Sequence, residues 1–113
     1  MSFTYNNIVR VVSNAAEDIN TEIADLNADN YILSAITFDA ADNAFLFFTY
    51  SAYAAIFVIQ PQKVNAVGST QGDVDTDAAA EALNGYVPTG VFADPGTGQL
   101  FILYQQLNEV PEP

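Results

Sequence analysis

Fourteen carboxylates, two cations (Arg10 and Lys63) and no histidine or cysteine set the chemistry open to this chain. Acid–base catalysis needs a proton carrier tuned to working pH, and covalent catalysis needs an activated nucleophile. Here those roles fall to Lys63, which has no neighbour in sequence to depress its pKa, and to serines with no base beside them. Adjacent carboxylates (Glu17 with Asp18, Asp73 with Asp75) sit where a helix start or a loop accounts for them. The sequence therefore predicts no catalytic residues, no enzyme and no cofactor.

Two further patterns bear on metal and phosphate binding. Asp73, Asp75 and Asp77 take the alternating positions of a calcium loop, but Ala78 stands at the sharp-turn glycine and Asn84 at the bidentate glutamate. Capping of a helix by Asp75 or Asp77 explains the same residues, and no metal ligands are assigned. Residues 94–98 (DPGTG) are glycine-rich but lack the lysine and the strand-to-helix setting of a phosphate loop, so they read as a hairpin turn.

A formal charge of −12 disfavours nucleic acid and anionic lipid, which bind through Lys and Arg. Its simplest use is solubility for a chain that is 50% hydrophobic. Salt adaptation, a basic partner or mimicry of DNA are the other uses, and mimicry would place Asp18, Glu22, Asp25 and Asp29 where phosphates lie. The first seven residues lack the basic and apolar regions of a signal peptide, so location is left between a virion and a host cytoplasm. Residues 43–62 are uncharged, but the apolar run within them, 44–59, is shorter than the ~20 residues of a spanning helix, is interrupted at Thr49, Tyr50 and Ser51, and is rich in aromatic and β-branched residues; two strands meeting near 51–53 are expected there.

These elements are written twice. Residues 31–39 (YILSAITFD) and 44–49 (AFLFFT) align without a gap, at an offset of 55, with 86–94 (YVPTGVFAD) and 99–104 (QLFILY). A strand over 7–13 leads to a helix capped by Asn14 with Glu17, apolar at Ile19, Ile23 and Leu26. Asn30 ends that helix and Gly85 the second, because both residues accept left-handed backbone. In the second copy a strand is expected over 54–60, a looser one over 63–67, a loop over 68–75 and a short helix over 77–84. The prediction is an α+β fold: two β-α-β-β repeats (about 7–51 and 54–106) in one domain, sharing one mostly antiparallel sheet with both helices on one face. A ferredoxin-like variant is the alternative, and 107–113 reads as a mobile tail.

A strand with one wet face alternates apolar and polar residues. Residues 45–48, 54–59 and 100–104 do not, so both sheet faces are apolar and two helices cover only one. The expected cover for the other is a second copy or another structural protein. The candidate interface residues are Phe45, Phe47, Phe57, Phe101 and Tyr104. Tyr31 and Tyr86, at matching helix exits, read as packing more readily than as a paired aromatic site.

The strand 8–13, the helix 17–26 and the strands 31–38 and 45–50 resemble small β-α-β-β modules of uncharacterised bacteriophage and bacterial proteins. The Cys-free, Lys-poor, Ala/Asn/Thr/Asp-rich composition is similar to that of phage virion parts. This resemblance implies a structural protein of a virion, such as a capsid decoration or connector subunit. An acidic DNA mimic, or a module binding calcium or a small ligand, are the alternative functions.

Overall fold

A computed structural model describes residues 7–50 and 61–106. In chain order the elements are β1 (Asn7–Ser13), α1 (Ala16–Ala28), β2 (Tyr31–Phe38), β3 (Asn43–Tyr50), β4 (Gln62–Val67), α2 (Gln71–Ala82), β5 (Tyr86–Asp94) and β6 (Gln99–Gln106). The α+β composition and the twofold β-α-β-β order are as the sequence predicts. The strand expected over 54–60, Phe57 and the 107–113 tail lie outside the described residues.

The single shared sheet is not found. Each repeat makes its own three-stranded antiparallel sheet, β1-β3-β2 (sheet A) and β4-β6-β5 (sheet B). Both hairpins fold back beside their own first strand, so pairing is satisfied locally and, among the described residues, no strand of one repeat pairs with a strand of the other.

The two sheets share one design to the level of a bulge. Register shifts in β2 between Leu33 and Ala35, and in β5 between Pro88 and Gly90. The skipped residues, Ser34 and Thr89, each donate a side-chain hydroxyl to the facing strand, at Phe47 and Leu103. Those acceptors are 56 apart, not 55. Pairing agrees: Ile8 faces Phe48 in sheet A, and Lys63 faces Tyr104 in sheet B. The second hairpin turn is therefore one residue longer than the first, and the gapless alignment holds only as far as β5. Because strand side chains alternate, that one residue changes which face each β6 residue occupies.

Helix ends follow local chemistry. Asn30 and Gly85 have φ of 70° and 80°. Asn14 does not cap α1: the N-cap is Ala15, which makes no side-chain bond, and Ser13 Oγ accepts the Ala15 N–H at 3.2 Å while donating to Asp18. The second helix starts earlier than predicted, at Gln71. Thr70 and Asp73 form the capping box there, so the expected loop over 68–75 is half helix.

With "inner" meaning the face toward a sheet's own helix, the core divides in two. Ile19, Ile23 and Leu26 of α1 pack on inner sheet A (Ala44, Leu46, Phe48) and also meet the outer face of sheet B (Val64, Phe101, Leu103) in one cluster. Inner sheet B (Ile102, Tyr104) packs with Val67 against Val74 of α2, Tyr86 and Leu100. Phe101 stacks on Phe38 at 5.0 Å, directly joining the repeats.

Side-chain amides complete this seam. Asn20 of α1 accepts the Val64 N–H at 2.7 Å and donates to its carbonyl at 2.9 Å. Asn27 accepts the Gln62 N–H at 2.9 Å. The buried Gln62 amide in turn accepts from Leu33 N and donates to Leu33 O, pairing with the edge of β2 as a strand would. Asn14 donates to the buried Asp94 at 3.0 Å, fixing the second hairpin turn against the first repeat.

Candidate interaction face

Structural equivalence identifies the surface that differs between the repeats. Val9, Phe45 and Phe47 of outer sheet A correspond to Val64, Phe101 and Leu103 of outer sheet B. In sheet B these side chains are 0%, 1% and 3% exposed, because the first repeat lies on them. In sheet A, Val9 is 49%, Val11 55% and Phe47 39% exposed, with Phe45 half-buried. Val9 faces Phe47, and Val11 faces Phe45, across the ladder. Ala35 and Thr37 extend the surface beside them, and Asn7 with Thr49 borders it. None of these residues is charged, on a chain of net charge −12.

The predicted interface residues are thus divided. Phe45 and Phe47 share this open face. Phe101 and Tyr104 do not: both are buried within the chain, Phe101 under the first repeat and Tyr104, at 0% exposure, under α2. The apolar run 100–104 needs no outside partner because repeat one covers one side of β6 and α2 the other. The gapless alignment hid this, since it matched Phe101 with the buried Leu46 in place of Phe45.

The acidic residues weighed for calcium lie on α2, not in a loop. Asp73 is the capping-box residue, Asp75 accepts from Gln71, and Asp77 accepts the Tyr104 hydroxyl at 2.7 Å and Asn65 at 3.0 Å. Asp77 lines a cavity of about 330 Å³ together with Val67, Gly68, Asp73, Thr76 and Ala80. Burial and the neighbouring Asp77 carboxylate both raise the Tyr104 pKa, keeping its hydroxyl a donor. Tyr31 and Tyr86 pack locally: Tyr31 edge-on to Tyr50 at 5.5 Å, Tyr86 beneath Lys63 Nζ at 4.6 Å. Among the acids weighed for mimicry, Glu22 pairs with Arg10 at 3.4 Å and Asp18 with Ser13.

Glu81 is the buried carboxylate of this region, 6% exposed and paired with Lys63. Burial alone would raise its pKa. Hydrogen bonds from Lys63, Asn65 and Asn84, with the Lys63 charge, outweigh that and hold it below its ordinary value of 4.5. A carboxylate depressed in the folded state adds stability above its unfolded pKa, and that contribution disappears as pH falls through the folded value. Denaturant titrations should show stability dropping below about pH 4.5 in the native chain, with a shallower drop in Glu81→Gln. Equal slopes would show that Glu81 is not the group responsible.

Among the described residues, no helix is long and apolar enough to cross a membrane. The chain matches no family model, no curated protein and no solved structure.

Proposed function

We propose that this chain is a non-enzymatic assembly subunit that docks through the outer face of sheet A. The observation carrying the reading is the contrast between equivalent surfaces. One is sealed by the chain's own first repeat, the other is left open with valines and phenylalanines at its centre. Monomers rarely keep such a surface wet, and an uncharged island on an acidic molecule directs contact to one place. The resemblance to phage modules and the virion-like composition support a virion part, a decoration or connector subunit, as the setting. In that setting the acidity keeps the remaining surface from non-specific contact.

Light scattering across a concentration series tests the docking face. The native chain should form species larger than a dimer, and Phe47→Asp should abolish them without lowering the melting temperature. The substitution places a charge in the centre of a desolvated contact, where single residues dominate affinity, and a loss of tenfold or more (roughly) is expected. A native chain that never exceeds two copies, with or without Phe47→Asp, overturns the proposal.

A further inference from the structure

β1 and β4 are the same strand in the two repeats, and among the described strands each lies at a sheet edge. Their edges are treated differently. Along β4 the outward backbone groups of Gln62 and Val64 are met by the side chains of Asn27 and Asn20. The counterparts in β1 are Asn7 and Val9, followed by Val11. Their direction is fixed by alternation: Asn14 N–H bonds toward the β3 hairpin at Asp42, so even-numbered groups face inward and Val9 and Val11 face out. No described residue hydrogen-bonds the outward amides and carbonyls of Val9 and Val11. A strand edge left in this state is a template for another strand.

We infer that β1 pairs antiparallel with β1 of a second copy, joining two sheets A into one six-stranded sheet across a twofold axis. Charge selects the occupant. β1 (NIVRVVS) contains no carboxylate and holds one of the chain's two cations, and the two α1 acids that reach it, Glu22 and Asp18, are engaged by Arg10 and Ser13, so the paired strands set no acid directly opposite another. A basic partner would need carboxylates along the edge to recognise, and β1 offers none. A register centred on Val9 pairs outward groups with outward groups. It also sets each Arg10 opposite Ile8 of the other copy, whereas a register centred on Arg10 would oppose two guanidinium groups. Arg10 itself stays engaged with Glu22 on the α1 side. The pairing uses backbone only, so it stands apart from the docking face, whose side chains it would bring together from two copies on one surface.

Residue-resolved amide exchange on the full chain, with light scattering at the same concentrations, tests this. The Val9 and Val11 amides should gain protection, roughly tenfold or more, as concentration rises through dimer formation, because a paired amide exchanges only through the open fraction. Added to Phe47→Asp, which removes association through the outer face, Val9→Pro should hold the chain monomeric at those concentrations, since the Val9 N–H faces away from β3 and an edge strand tolerates proline there. Phe47→Asp should leave the dimer intact, separating failure of the docking face from failure of the edge. A chain that stays monomeric overturns the inference. So does a dimer in which the Val9 and Val11 amides exchange as fast as in the monomer, including one held together by the outer face alone.

Discussion

Phe101→Ala is expected to cost about 3–5 kcal/mol of folding stability, and Phe47→Ala about 1 kcal/mol or less. The two phenylalanines sit on the outer faces of the equivalent central strands, β3 and β6, of two separate sheets, yet their surroundings are opposite. Phe101 is 1% exposed and packs among Ile19, Ile23 and Leu26 of α1 while stacking on Phe38. Truncation there removes buried area and leaves a cavity between the repeats that neither side can collapse into without moving the α1 seam. Phe47 is 39% exposed and belongs to neither core cluster. Its truncation loses side-chain area that is already partly wet. Urea denaturation of the two variants in monomeric conditions measures both costs. If Phe101→Ala were no more damaging than Phe47→Ala, the outer face of sheet B would not be sealed by the first repeat.

A second expected result concerns the ion pair in repeat two. Lys63→Ile alone should destabilise the chain by about 2–4 kcal/mol, because it strands the Glu81 carboxylate in a site only 8% exposed. Lys63 itself is 31% exposed, which keeps the figure below that of a fully buried pair. Adding Glu81→Leu should return stability to within about 1 kcal/mol of the native chain, or above it, as happens when buried ion pairs give way to apolar packing. The first repeat supplies the argument for fit: Ile8 and Leu26 occupy the equivalent positions, and both pack in its core. Asn65 keeps its bond to Asp77 in the double variant. Lys63 also loses its place over Tyr86, a smaller effect of about 0.5–1 kcal/mol. A double-mutant cycle by chemical denaturation measures the coupling, and a double variant no more stable than Lys63→Ile would refute the apolar-equivalence argument.

What was legible in the sequence was local. The α1 stripe of Ile19, Ile23 and Leu26 declared itself by spacing, and Asn30 and Gly85 by their tolerance of left-handed backbone. The start of α2 did not, because Gly72 and a run of aspartates read as loop while the capping signal lay upstream at Thr70. Asn14 looked like a cap by type but bonds Asp94, 80 residues away, which no local pattern reveals. The separation into two sheets was hidden for the same reason: it depends on carboxamides of α1 reaching β4, and an asparagine in a helix announces no target.

The candidate face was half legible. Consecutive apolar residues correctly marked β3 and β6 as having no polar side, but the sequence holds no statement of which element lies above each. Residues 45–48 and 100–104 look alike on the page. They differ because the hairpin turn after Asp94 carries one more residue and because the first repeat covers the outer face of sheet B, with Phe38 stacked on Phe101, so Phe101 is enclosed while Phe47 is not.

The carboxamides of α1 also make the two modules chemically unequal. At the positions of Asn20 and Asn27, the second helix carries Asp75 and Ala82, an anion and a methyl group, neither of which can both give and take a hydrogen bond along a strand's rim. A third module appended after the second would find no hand to hold. The join that Asn20 and Asn27 make to the rim of β4 therefore has no chemical counterpart on α2.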